Sequence, residues 1–180
     1  MKRIRLVVAS LAVATALLGA GSANAEGQST RGPGYLQGNL AGFGIVAGGG
    51  GSGAAYAMSY EGGYHFGGGH EGFVLGLRQG FYFGSLTAGT TQAKFGYGIP
   101  VPIKGSDMEL TVEPYTVLGV AYVFQGGDPL FAFGFGLDLR LFPIANNGFF
   151  VGGHPLEVGG WISSFSGFTY IFDLGVGYAF

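Results

Sequence analysis

Cysteine is absent from the 180-residue chain, which excludes a disulfide framework and any thiolate-bound metal. Charge is scarce. Lys and Arg number 8 and Asp and Glu 10, so 10% of residues are charged, against roughly a quarter in an ordinary soluble domain. Past residue 25, no run of about 18 uninterrupted apolar residues offers a helical membrane span. The 39 glycines disfavour helix of any kind, because each costs about 1 kcal/mol in a helix interior relative to Ala. They follow no every-third-residue period with proline, so collagen is excluded. What is present is apolar: 48% hydrophobic and 16% aromatic residues, with a mean hydropathy of +0.40. That composition is the opposite of a disordered chain's. The length suits one domain.

Residues 1–25, MKRIRLVVASLAVATALLGAGSANA, have the three parts of a secretory signal peptide. Lys2, Arg3 and Arg5 form the positive start, Leu6 to Leu18 the apolar stretch, and Ala23-Asn24-Ala25 a small-x-small cleavage site. The apolar stretch falls short of the about 20 residues of a spanning helix. No Cys follows the cleavage site, which excludes a bacterial lipoprotein. Removal of the signal leaves five basic residues against ten acidic ones, a net charge of −5. No basic patch remains for nucleic acid. The expected organisation is a cleaved signal peptide over 1–25, a short N-terminal segment over 26–34 and a barrel over 35–180.

The mature chain alternates with period two, the signature of strands. At the C-terminus, Phe168, Tyr170, Phe172, Leu174, Val176, Tyr178 and Phe180 share one parity, opposite Thr169, Ile171, Asp173, Gly175 and Gly177. Phe131 to Leu141 alternate with Ala132, Gly134, Gly136, Asp138 and Arg140. Similar patterns run through Leu110–Phe124, Ala93–Val101, Phe73–Phe83 and Tyr56–Phe66, which makes six clear strands. Two more are weaker. In 35–46 the parity slips from Leu36 and Leu40 to Phe43 and Ile45, as a bulge among Gly38, Gly42 and Gly44 would produce. In 149–162, His154 and Pro155 break the alternation of Leu156, Val158 and Ile162 against Glu157 and Trp161. The count is eight strands, with six and ten as neighbouring options. Turn chemistry separates them at 47–53, 66–72, 102–107, 125–129 and 143–148. Strands of 10–13 residues match the ~9–11 that a tilted strand needs to cross a hydrocarbon layer.

The charges decide which face meets water. Glu26 and Arg31 precede the strands, and Glu71, Lys104, Asp107 and Asp128 lie in turns. The other nine, Glu61, Arg78, Lys94, Glu109, Glu113, Asp138, Arg140, Glu157 and Asp173, all fall on the parity opposite their strand's apolar run. A soluble barrel would cover its outside with many charges. Here the charged parity also carries most of the strand glycines, which suits the narrow interior of an eight-stranded barrel. The other parity, dense in Phe, Leu, Val and Tyr, then meets lipid. The fold class expected is all-β: a closed antiparallel transmembrane β-barrel. Closure follows from lipid itself, because an open sheet edge in hydrocarbon leaves backbone groups unpaired.

The last strand, Phe172, Leu174, Val176, Tyr178 and the terminal Phe180, resembles the assembly-signal strand of bacterial outer-membrane β-barrel proteins. With the signal peptide and the alternation, the whole chain looks like a small eight-stranded outer-membrane barrel of Gram-negative bacteria. The resemblance implies export through the periplasm and insertion by the outer-membrane barrel assembly machinery, with outer-membrane lipid as the surrounding partner. It identifies no other protein partner. Members of this family often carry long extracellular loops. Every connection here is expected to span four to eight residues, which argues against receptor, adhesin or phage-docking roles.

The nine lumenal charges form the candidate site, read as a structural charge network. Glu61, Arg78, Glu113 and Asp173 are expected in the middle layer. Arg78 is expected between Glu61 on the neighbouring strand and an acid reached across or around the barrel, because a buried ion must be paired. Lys94, Asp138, Arg140, Glu109 and Glu157 would extend the network toward the ends. Ser59, Glu61 and His65 share a strand face, but residues two and four apart lie about 7 and 13 Å apart at ~3.3 Å rise, too far for a nucleophile–base relay. No catalytic, cofactor-binding or metal site is assigned, and three scattered histidines without Cys make a weak metal set. The glycine runs at 49–52 and 67–69 lack the helix and the Lys-Ser/Thr of a phosphate loop. The functional expectation is a structural or interaction barrel with an occluded lumen and no enzymatic activity. A narrow channel for small solutes and a lipid-modifying enzyme are the alternatives.

Overall fold

A computed structural model of the chain describes residues 32–48, 51–84, 87–124, 126, 128–144, 147–162 and 167–180. The expected signal peptide over 1–25 and most of the 26–34 segment lie outside the described residues. Eight strands follow in sequence: β1 Gly34–Gly48, β2 Gly51–His65, β3 Gly72–Gly84, β4 Ala88–Pro102, β5 Glu109–Val123, β6 Leu130–Phe142, β7 Phe149–Ile162 and β8 Gly167–Ala179. Each pairs antiparallel with the next, and β8 returns to β1, so the sheet closes with no free edge. The barrel strands run from Gly34 to Ala179. The strands are longer than their alternation suggested, at 13 to 15 residues. Two connections are correspondingly shorter than expected. Two residues separate β1 from β2, and three separate β3 from β4. Glycine supports a strand as well as a turn, so the glycine run at 47–53 did not mark where pairing stops.

Both ends of the barrel chain lie on one rim, together with the β2–β3, β4–β5 and β6–β7 connections. This rim is the terminal end, and the other is the far end. Gly34 and Phe180 exchange backbone hydrogen bonds at 3.1 and 2.9 Å there, sealing β1 to the last residue. The β2–β3 connection turns through Gly68 and Gly69, at φ of 89° and 57°, conformations that favour glycine.

The alternation sorts the faces as expected. Leu36, Tyr60, Leu75, Phe95, Leu118, Phe135, Leu156 and Leu174 point outward, while all nine expected lumenal charges except Glu109 are buried. Tyr64, Phe66, Phe73 and Tyr97 gather outside at the terminal end, with paired ring centroids 5.2 Å apart, the placement of an interfacial girdle. Gln79 is a polar group on the outward apolar face. The Gln79 amide donates to the Tyr122 hydroxyl at 2.5 Å and accepts from Thr91 Oγ1 at 2.6 Å. The amide is thereby satisfied by neighbouring strands, as hydrocarbon requires.

Two bulges lie on either side of β8. β1 shifts register between Asn39 and Gly42, so Leu40 and Ala41 both face outward. That is the parity slip read from the sequence. The carbonyl of Leu40 accepts a hydrogen bond from the Tyr56 hydroxyl. β7 shifts between His154 and Glu157, around Pro155, which has no N–H to give a ladder. Asp173 of β8 stands opposite both departures, paired with Gly42 on one side and His154 on the other.

The interior has three layers. At the far end, Tyr82, Trp161, Leu130 and Ile171 pack among Ala55, Ala57, Ala88, Ala121 and Ala132. Trp161, expected on the lumenal face, stands edge-on to Tyr82 with centroids 5.7 Å apart. At the terminal end Tyr35, Val74, Phe142, Phe150 and Ala179 form a second apolar cluster. Between them lie the buried charges. Gly136 shows why the lumenal parity is rich in glycine. A Cβ there would stand 2.5 Å from the Tyr115 ring, which lies against the wall at that point.

Candidate functional site

The buried charges form one linked cluster contributed by seven strands. Lys94 of β4 is its centre, not an extension toward an end as expected. Its Nζ lies 2.7 Å from Glu61 Oε1, 2.8 Å from Asp138 Oδ2 and 3.1 Å from Glu113 Oε1. Arg140 meets the same three acids: Asp138 on its own strand, Glu113 at 3.0 Å and Glu61 at 3.4 Å. Its Nε donates to Gln37 Oε1 at 3.0 Å, and its guanidinium lies 3.7 Å from the centre of the Tyr35 ring, within cation–π range. The Tyr35 hydroxyl donates to Glu61 at 3.2 Å. Three acids and two bases thus make a compact group in which the cations are shared.

Arg78 forms the second group, and it corrects one expectation. The β2–β3 register sets Arg78 opposite Glu61, yet its ion pairs are with Glu157 and with Asp173, the latter at 3.3 Å. Cross-strand register places the Cα atoms. The long side chain instead crosses the narrow lumen to β7 and β8, while Lys94 and Arg140 hold Glu61. The Tyr115 hydroxyl donates to Glu157 Oε2 at 2.5 Å and accepts from Arg78 at 3.4 Å. Glu109 begins β5 half-buried opposite Phe142 at the terminal rim, away from the central layer.

His154 joins the two groups. Its Nδ1 lies 2.7 Å from Asp173 Oδ1 and its Nε2 3.2 Å from Glu61 Oε2. The β7 bulge also frees the His154 backbone N–H, which donates to Asp173 Oδ1 at 3.0 Å. Asn39, beside the β1 bulge, reaches the same place. Its amide nitrogen donates to Ser59 Oγ at 3.1 Å and lies 3.3 Å from His154 Nδ1. Ser59 in turn donates to Asp173 Oδ2 at 3.3 Å. Both bulges thus bring a polar side chain to one aspartate's surroundings, His154 in direct contact and Asn39 through Ser59 and His154, the re-aiming for which bulges are used.

Sequence reasoning missed Tyr35, Gln37, Asn39, Tyr115 and His154 as members of this cluster. His154 was hidden by Pro155, which breaks the alternation that assigns a face. The two tyrosines occupy the lumenal parity of their strands, and that position was the available signal.

Ser59, His154 and Asp173 are residue types of a hydrolytic triad, but their order does not perform that chemistry. Asp173 lies between the other two and accepts from Ser59, so the serine proton faces a carboxylate and not an imidazole base. His65, the partner considered from the sequence, lies instead 3.3 Å from Glu113. Glu61, Asp138 and His154 bring one donor atom each within 4.8 Å of one another. Lys94 and Arg140 contact one oxygen of each carboxylate, Glu61 Oε1 and Asp138 Oδ2, so both acids of this set belong to the ion-pair cluster.

Neisserial surface protein A (NspA) has a crystal structure that matches 82% of this chain and 97% of its own, with a TM-score of 0.59 and 13% sequence identity. The shared fold is a small, closed, eight-stranded antiparallel β-barrel. The N-terminal β-barrel domain of Pseudomonas aeruginosa OprF is also similar, with a TM-score of 0.48 and 16% identity, over 83% of this chain and all of that one. No family model matches the chain, and no curated protein matches it in sequence.

Proposed function

We propose that this protein is a structural barrel of the Gram-negative outer membrane with a closed, non-conducting interior and no catalytic activity. The observation that carries this reading is the layered filling of the lumen. A cluster of shared ion pairs is capped by Tyr82 and Trp161 on one side and by Tyr35, Phe142 and Phe150 on the other. Lys94, Glu113, Asp138, Arg140 and His154 are all fully buried, and a solute path would have to break several buried ion pairs at once. An even strand number with both ends on one rim supports an orientation with the terminal end in the periplasm. The signal-like leader and the aromatic last strand support export and insertion by the assembly machinery.

Single-channel recording of the purified barrel in planar bilayers tests the closed interior. The expected record has no discrete conductance steps, for the native protein and for Arg78→Ala alike, with the variant melting at lower temperature. Steady ion-selective steps that change with Arg78→Ala would replace the structural reading with that of a channel. Cell fractionation tests the location, with the protein expected in the outer-membrane fraction. Lipid A mass spectrometry of a deletion strain, expected to match wild type, tests the absence of enzymatic activity.

A further inference from the structure

Three buried atoms of the central layer have no hydrogen-bond partner among the described residues: Glu61 Oε2, Asp138 Oδ1 and His154 Nε2. Their side chains come from β2, β6 and β7 and are fully buried. The three side chains bring one donor atom each within 4.8 Å of one another. Buried polar atoms are ordinarily paired, and an orphan of this kind points to something that occupies the space. His154 shows what kind of group that is. Its Nδ1 stands 2.7 Å from Asp173 Oδ1, and a contact that short places the ring proton between those two atoms. Nε2 then presents its lone pair, 3.2 Å from Glu61 Oε2, which presents another. Lone pairs that face one another are joined by a cation.

We propose that Glu61, Asp138 and His154 bind one zinc ion, which clasps β2, β6 and β7 together across the lumen. The proposal rests on the packed lumen but not on the absence of conduction.

The existing ion pairs leave room for this ion. Lys94 and Arg140 hold Glu61 through Oε1 and Asp138 through Oδ2, which leaves the second oxygen of each carboxylate. Charge points the same way. Among the described residues, Glu61, Glu113, Asp138, Glu157 and Asp173 are buried with Arg78, Lys94 and Arg140, five acids against three permanent cations. A divalent ion makes up the difference. The donor set suits zinc, which takes imidazole and carboxylate together, whereas calcium and magnesium favour oxygen alone. Ligands about 2.0–2.1 Å from a tetrahedral zinc stand roughly 3.3 Å apart, close to the 3.2 Å between His154 Nε2 and Glu61 Oε2. Asp138 completes the set with a carboxyl whose Oδ2 lies 3.8 Å from His154 Nε2. The ring is also oriented as zinc-binding histidines are, with its far nitrogen on a carboxylate. That carboxylate, Asp173, is itself fixed by Ser59 and by the His154 backbone N–H. Water takes the fourth position, and the apolar layers on either side keep substrates from it. The same layers mean that the ion enters while the barrel folds.

The test is to refold the mature barrel from urea into detergent micelles, once with zinc and once with EDTA, and then to remove free metal by gel filtration in EDTA. The zinc-refolded protein is expected to retain one zinc per barrel by elemental mass spectrometry and to melt at a higher temperature than the EDTA-refolded one. Its zinc X-ray absorption spectrum should show nitrogen and oxygen ligands at about 2.0 Å, one of them an imidazole. His154→Gln should lose both the zinc and the difference in melting temperature. His65→Gln, which removes the other histidine that touches a buried acid, should keep both. If His154→Gln fails to fold, the wild-type spectrum still reads the ligands directly. Equal melting temperatures with no retained zinc would overturn the proposal and assign the three atoms to water. Zinc retained by folded His154→Gln, or a spectrum without imidazole, would overturn it as well.

Discussion

The far half of the lumen and its central layer fill the same narrow tube in different ways. In the far half, five alanines leave room for Tyr82 and Trp161, and contact between rings and methyl groups does the filling. In the central layer, long charged side chains reach across the lumen to acids on strands that are not their neighbours, as Arg78 of β3 does to β7 and β8. The first arrangement gains stability from buried apolar area and tolerates small shifts. The second gains less net stability, because desolvating the ions offsets much of their attraction. It fixes geometry instead, since moving one strand by a residue would break several shared ion pairs together. A glycine-rich sheet with few distinctive side chains is prone to register slips, and the charged layer supplies what the backbone does not specify.

Removing the central cation should therefore have the largest effect. Lys94→Met leaves Glu61, Glu113 and Asp138 with Arg140 as their remaining permanent partner. Breaking a single buried pair costs about 3–5 kcal/mol, and here three contacts are lost. The expected outcome is a barrel that no longer refolds in lipid vesicles, read as loss of the heat-modifiable compact band on electrophoresis. A Lys94→Met protein as stable as the native one would remove the central claim of the comparison. Trp161→Ala tests the far half. Truncating a buried aromatic costs about 3–5 kcal/mol, so urea unfolding should show a less stable barrel that still folds with its register intact. Backbone NMR that showed shifted strand pairing in this variant would mean that the far half also sets register.

These two layers were not equally legible in the sequence. Alternation assigned a face to every charged strand residue, because period two is a property of the strand alone. The slip near Leu40 and the break at Pro155 were visible for the same reason. The partner of Arg78 was not, because the chain records which residues are adjacent along a hairpin and not the distance across a closed tube. His154 was lost where a bulge changes the parity by which faces are assigned. The glycine run at 67–69 does lie in a turn, but in the run at 47–53 Gly48 and Gly51 belong to paired strands, because glycine punctuates a strand only when its φ or its neighbours require it.

The smallest expected effect comes from one chemical change made in both layers. Tyr115 and Tyr82 are both buried lumenal tyrosines, and replacement by Phe removes a hydroxyl from each without changing the ring. The Tyr115 hydroxyl donates to Glu157 at 2.5 Å and touches Arg78. Hydrogen bonds to charged groups contribute about 1.5–3 kcal/mol, and Tyr115→Phe should destabilise by that amount in urea unfolding from lipid vesicles. Among the described residues the Tyr82 hydroxyl makes no hydrogen bond to a charged group, and Thr90 Oγ1 has no hydrogen-bond partner, so loss of the Tyr82 hydroxyl should cost no more than about 1 kcal/mol, the usual net value of a neutral hydrogen bond. The reading is the difference between the two variants, which cancels effects common to the ring and to the lipid. Equal losses would mean that the central layer is held by packing, as the far half is, and that its charges are carried without setting the geometry.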